Sequence, residues 1–330
     1  IALYQPCANL GQPVDLLPTL AGFLPREVAE NRCTSLAEKG LLEADTLEDR
    51  IAEAQQRIND YAIPEEQNPA QASNTTFLVP ESIAATYANQ YGLFGVEDRF
   101  CDFSFAATDA NGAPTALGDA AASVLFALSN GIPPTGGVSL VYDAAAAGPT
   151  NITTAASPST GRMDRALDGI LCLRQAALEN QDILAGIADV RASGDLQGRP
   201  AVIVAGRADA ILPINFTSRP YYALNQLMEG DDSDLHYYEV TNAHHLDAFN
   251  AFPGLATRFV PLHYYFGQAL DLMYDHLRSG ASLPPSQVVH TIPRGEGTPP
   301  LALGNLPEIE QNPPADERII FDDRELFIPE

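Results

Sequence analysis

Hydrophobic positions recur at helical spacing through the first 155 residues. Leu16, Leu17, Leu20 and Phe23 predict a helix over 11–24. A second is predicted over 46–60, opening at Thr46 as cap, with Glu48 and Asp49 in its first turn and Ile51, Ala54 and Ile58 on one face. Further helices are expected over 78–90 and over the Ala-rich 114–130, which ends at the stop Asn130-Gly131-Ile132-Pro133-Pro134. We find no strand series and no internal repeat in this stretch. A parallel α/β sheet demands alternating strands and helices, so residues 1–155 read as a mainly helical lid or cap inserted beside the sheet.

Residues 144–160 are small and polar without apolar period, and read as a linker. Past them the pattern changes. An amphipathic helix is predicted over 161–178 (Met163, Leu167, Ile170, Leu171, Leu173) and another over 181–192. Pro200-Ala201-Val202-Ile203-Val204-Ala205 is a short continuous apolar run bounded by turn residues, as in a strand buried on both faces. A helix over 217–229, a strand Leu235-His236-Tyr237-Tyr238-Glu239-Val240 and a long helix over 257–279 follow. The last carries an apolar stripe from Phe259 and Leu262 to Met273 and Leu277. Residues 156–280 therefore read as an α/β core. Residues 281–330 read as a Pro-rich tail closing in a hairpin that turns at Asp322-Asp323.

Eighteen basic against 43 acidic residues give a net charge of −25, which argues against nucleic acid as a partner. The longest apolar run is far short of the roughly 18 residues of a membrane span, so no membrane role is expected. The opening Ile1-Ala2-Leu3-Tyr4 has neither an initiator Met nor a basic region followed by an apolar one, and reads as the middle of a longer polypeptide. The four cysteines lack C-x-x-C spacing, which speaks against a zinc or redox site. They permit three disulfide pairings. We favour Cys7–Cys33 with Cys101–Cys172, four buried thiols being the alternative.

Two strand ends carry candidate chemistry. Gly206-Arg207-Ala208-Asp209-Ala210-Ile211-Leu212-Pro213 follows the first strand, and Thr241-Asn242-Ala243-His244-His245-Leu246-Asp247 follows the second. Asp209 and His245 are thus placed at the carboxyl ends of successive strands, where open α/β sheets hold their catalytic groups. Their order matches the late part of Ser…Asp…His in the α/β-hydrolases. A serine hydroxyl needs a neutral imidazole to take its proton, and the imidazole needs a carboxylate on its other nitrogen. Taken singly, Asp209 could be a turn residue bonding its own backbone and His245 a solvated loop histidine. The paired layout favours the catalytic reading. His244 competes with His245 for the role, and Asp247 reads as a cap or loop anchor. His236 (strand), His263 and His276 (long helix) and His290 (tail) are weaker candidates. No Gly-x-Ser-x-Gly elbow is present. Ser139, in Gly136-Gly137-Val138-Ser139-Leu140, lacks the second glycine, and Cys172 sits mid-helix, so both read as structural. The serine must come from elsewhere. Neither a metal nor an organic cofactor is needed.

At these residues the chain resembles the D-(−)-3-hydroxybutyrate oligomer hydrolases. The resemblance runs through Gly206–Pro213, Thr217-Ser218-Arg219-Pro220-Tyr221-Tyr222 and Tyr237 to His245. Leu3-Tyr4-Gln5-Pro6-Cys7-Ala8 near the start and Arg318-Ile319-Ile320-Phe321…Ile328-Pro329 near the end fit the same family. The resemblance implies an α/β-hydrolase fold and an esterase acting on linear 3-hydroxybutyrate oligomers from polyhydroxybutyrate breakdown. It implies Asp209 as acid, His245 as base, His244 at a variable position, and a nucleophilic serine upstream of residue 1. The expected partners are a small ester substrate and an N-terminal segment or chain carrying that serine and the oxyanion-hole amides. A secreted or periplasmic location is expected, the cytoplasm being the alternative. Competing readings are another large-lid esterase of feruloyl-esterase or tannase type and a non-catalytic hydrolase-like binding module.

Overall fold

The computed structural model describes residues 1–12, 24–76, 78–128, 138–144, 148–251 and 254–330. The chain forms two compact units: Ile1–Tyr61 with Gln71–Arg191, and Ala62–Ala70 with Ala192–Glu330. Residues 13–23 of the expected helix over 11–24, and the stop at 130–134, lie outside the described residues.

The first unit opens with α1 (Gln5–Ala8), α2 (Arg26–Glu38) and α3 (Leu47–Asp60). The Thr46 hydroxyl accepts from the Asp49 amide at 3.2 Å, capping α3 as its sequence predicts. Ala54 and Ile58 turn inward. A Cys7–Cys33 disulfide ties α1 to α2. α2 escaped prediction because it buries polar Arg32 and Ser35 beside Val28, Ala29 and Leu36, which blurs its apolar stripe. α4 (Asn68–Thr76) contributes its residues from Gln71 on, and α5 (Val79–Gly92) follows. α6 spans Asp119–Leu128. α7 (Leu167–Glu179) and α8 (Gln181–Asp189) complete the unit's helices among the described residues. α8 approaches α5 so closely that a side chain at Gly186 would meet the Tyr91 carbonyl.

The first unit also contains an antiparallel sheet that the sequence pattern did not reveal. β1 (Phe103–Thr108), β2 (Pro114–Thr115), β3 (Ser139–Tyr142) and β4 (Thr150–Asn151) order as β2-β1-β3-β4. Two of the strands are two residues long, too short to show a period. In β1 the apolar–polar alternation is lost after Phe105, at Ala106 and Ala107. Phe103 and Tyr142 pair across β1 and β3 with ring centroids 5.4 Å apart, both buried.

The division between the units also differs from expectation. Residues 144–160 are not a free linker: β4 lies there, and Ile152, Ala155 and Ser157 are fully buried. Small residues bury without leaving a periodic trace. The Cys101–Cys172 disulfide fixes α7 within the first unit, and the break falls after Arg191 rather than near 155.

The second unit holds a parallel sheet, β5 (Ala201–Gly206), β6 (Leu235–Val240) and β7 (Gln287–Val289), in the order β5-β6-β7. β7 comes from the stretch read as tail; three residues give no period to detect. α9 (Ser218–Glu229) connects β5 to β6. α10 (Leu262–Ser279) begins after Pro261, five residues later than its apolar stripe suggested, because proline cannot continue a helix backwards. One core gathers Tyr238, Val240, Val260, Tyr265, Ala269 and Val289, and another gathers Ile214, Tyr222, Tyr237, Val288 and Ile319. The terminal hairpin is β8 (Ile320–Asp322) with β9 (Glu325–Phe327), close to its expected place. Among the described residues no helix is long and apolar enough to cross a membrane.

Both favoured disulfide pairings are present, closing sequence separations of 26 and 71. Chain-entropy scaling with these lengths gives losses of about 3.5 kcal/mol on removing Cys7–Cys33 and about 4.4 kcal/mol on removing Cys101–Cys172. Urea unfolding of the two double-serine variants checks both values, and the larger loss is expected for Cys101→Ser/Cys172→Ser.

Candidate active site

β5 and β6 end side by side, with Gly206 opposite Val240. The loops beyond them are stitched together: the Arg207 amide donates to the Val240 carbonyl at 2.8 Å and the Ala208 amide to the Ala243 carbonyl at 2.9 Å. This approach requires glycine at 206, where a Cβ would stand 2.4 Å from the Ala243 carbonyl oxygen.

The Asp209 carboxylate is split between two tasks. Its Oδ1 accepts from the amides of Ile211 (3.0 Å) and Leu212 (2.8 Å), which fixes the turn. Its Oδ2 stands 2.8 Å from Nδ1 of His245. The turn role and the orienting role thus coexist on one buried side chain. The carboxylate only accepts, so the imidazole Nδ1 carries the proton and Nε2 holds the lone pair when the ring is neutral. Among the described residues His245 makes no further hydrogen bond, and its side chain is 33% exposed, so Nε2 can receive a proton from a reacting hydroxyl. The hydrogen bond to Asp209 raises the His245 pKa above its ordinary value, against the opposing effect of burial.

The neighbouring loop separates the two adjacent histidines by role. His244 is buried, packs edge-on against Phe259 at 4.6 Å and places Nε2 2.9 Å from Asn250 Oδ1. Burial pushes its pKa down, keeping it neutral. The backbone turns between them and the strand at Asn242, which is left-handed (φ 54°) and donates from Nδ2 to the Thr291 carbonyl at 3.0 Å. Asp247 accepts from the amides of Leu262 (2.8 Å) and His263 (2.9 Å), anchoring the start of α10 as its sequence position suggested.

Several of the other candidates have partners of their own. His236 and His276 both face Asp234, at 3.4 and 3.6 Å. Cys172 is consumed by its disulfide, and Ser139 is a strand residue paired with Ala106. Among the described residues no group of three or more His, Cys, Asp or Glu is arranged to hold a metal ion.

Sequence reading missed a buried ionic cluster behind the Asp209 loop. Glu239, fully buried in β6, accepts from Arg207 Nε (2.5 Å), Arg219 Nη2 (2.7 Å) and Nε (2.9 Å), and the Tyr237 hydroxyl (2.7 Å). Burial alone would raise the Glu239 pKa, but the hydrogen bond from Arg219 and the charges of Arg207 and Arg219 hold it below the usual range. The signal was a lone carboxylate in an otherwise apolar and aromatic strand.

The profile of the 3HB-oligomer hydrolase (3HBOH) family matches residues 1–330. Three relatives are named D-(−)-3-hydroxybutyrate oligomer hydrolase. That of Azoarcus sp. (strain BH72) is 46% identical, over 99% of this chain and 49% of the relative. That of Polaromonas sp. (strain JS666) is 43% identical, over 97% and 46%. That of Cupriavidus necator is 40% identical, over 99% and 47%. The chain spans about half the length of the curated relatives it matches. No solved structure matches.

A raised folded pKa means that protonation of His245 favours the folded state. The stabilisation from the Asp209–imidazolium pair is full below the unfolded value of about 6.5 and is lost as pH rises through the higher folded value. The stability advantage of the natural protein over Asp209→Asn is therefore expected to shrink as pH is raised from 6 to 9. Urea unfolding across that range checks it.

Proposed function

The chain belongs to the 3HB-oligomer hydrolase family, and from that premise we propose that it is the part of a serine esterase that carries the acid and base, acting on linear 3-hydroxybutyrate oligomers. The observation that carries the reading is the 2.8 Å contact between Asp209 Oδ2 and His245 Nδ1 at the ends of adjacent parallel strands. A dyad so placed is one serine short of a triad.

In this reading the nucleophile and the oxyanion-hole amides belong to a segment upstream of residue 1, and relatives about twice as long as this chain have room for one. The serine oxygen attacks the ester carbonyl while His245 Nε2 takes its proton. Collapse of the tetrahedral adduct breaks the ester C–O bond, and the same proton passes to the departing hydroxyl. Water then attacks the acyl-enzyme with His245 again as base, releasing the second product and restoring the serine. Asp209 keeps the imidazole in the correct tautomer and stabilises its cationic form. The chemistry calls on no metal or cofactor.

The reading carries with it the α/β-hydrolase fold for the second unit, which its parallel sheet and strand-end Asp and His support. The two disulfides support a secreted or periplasmic location, since oxidising compartments preserve such bonds.

The test is hydrolysis of a linear 3-hydroxybutyrate trimer by the protein that joins this chain to the other half found in its relatives. Release of free acid is expected, with kcat falling roughly 10⁶-fold in His245→Ala and roughly 10⁴-fold in Asp209→Asn. Retention of activity in His245→Ala would remove the reading.

A further inference from the structure

The loop that carries Asp209 runs from Arg207 to Thr217, between the end of β5 and the start of α9. Its two ends converge on one buried side chain. Arg207, at the first end, reaches Glu239 Oε1 through Nε. Arg219, just past the second, grips Glu239 with Nε and Nη2, a two-point contact that fixes direction as well as distance. Arg219 Nη1 also donates to Asn215 Oδ1 within the loop, at 2.9 Å. Two further contacts hold the first end: Gln67 donates to the Arg207 carbonyl at 3.0 Å, and Arg207 Nη2 donates to the Pro329 carbonyl at 2.8 Å. Glu239 sits opposite Ala205 on the neighbouring strand, so the clamp is built on the sheet itself.

A lone buried carboxylate is costly, and an ion pair in its place is seldom more stabilising than apolar packing. Apolar packing, however, would not define the span between two loop ends. The Asp209–His245 hydrogen bond needs that definition, since only one carboxylate oxygen is left to make it.

We propose that Glu239, acting through Arg207 and Arg219, is a positioning residue that holds the Asp209 loop where its carboxylate meets His245. The proposal rests on the dyad reading given above. Among the described residues Glu239 makes no hydrogen bond to His245; it acts through the loop.

The test uses the protein that joins this chain to the other half found in its relatives, and the NMR titration of its His245 ring, a readout independent of hydrolysis. Arg219→Gln is the discriminating variant. Removing a positive charge would, through space alone, leave the His245 pKa unchanged or raise it. Loosening the loop weakens the hydrogen bond to Asp209 and lowers it. A fall of about one unit is expected, in the direction of that seen in Asp209→Asn. A rise, or no change, with the Asp209→Asn fall intact would overturn the positioning role and leave the dyad standing. No fall in Asp209→Asn itself would overturn the dyad and the proposal together. If Arg219→Gln does not fold, Arg219→Lys keeps the charge and loses the two-point grip. A smaller fall is expected there, and an unchanged value would overturn the proposal.

Discussion

The hydrogen-bonded register that sets Gly206 beside Val240 is the constraint on which the candidate site depends. Parallel strands in register end at the same level, so the residues after each are delivered to one edge of the sheet. The 36 positions between Asp209 and His245 become 2.8 Å because α9 returns the chain to start β6 beside β5. The loops can then lie against each other only because residue 206 has no side chain. Register and close approach together do the work that a local sequence motif does in simpler sites.

The same edge shows how charge is handled when it must be buried. Asp209 and Glu239 are both removed from solvent, and each is met by several donors. Asp209 divides its oxygens between backbone amides and an imidazole, while Glu239 is saturated by two guanidiniums and a phenol. The donors around each carboxylate lose their freedom to move. The first carboxylate sets the state of His245. The second sets the shape of the loop that carries the first.

Much of the second unit was legible in the sequence because its pieces have strong local character. Val202-Ile203-Val204 is apolar without interruption, β6 spans the expected residues 235–240, and both are followed by loops rich in polar and small residues. The meeting of Asp209 with His245 was legible because each follows one of two successive strands. The division of labour between His244 and His245 was not, since it depends on Phe259 and Asn250, which come from later in the chain. β1 to β4 and β7 were invisible for a different reason: strands of two to six residues, several made of small side chains, carry too little pattern. The position of the break after Arg191 depends on a disulfide and on helix packing, neither of which leaves a periodic mark. Glu239 could have been noticed as a charge within a buried strand, but its partners Arg207 and Arg219 lie 32 and 20 positions away.

The central claim is that His245, oriented by Asp209, activates a serine that this chain does not itself supply. Fluorophosphonate labelling of the protein that joins this chain to the other half found in its relatives, followed by mass-spectrometric location of the modified residue, tests it most directly. The account predicts one labelled serine outside residues 1–330, with labelling lost in His245→Ala. A label on a serine within residues 1–330, or labelling that survives His245→Ala, would contradict it.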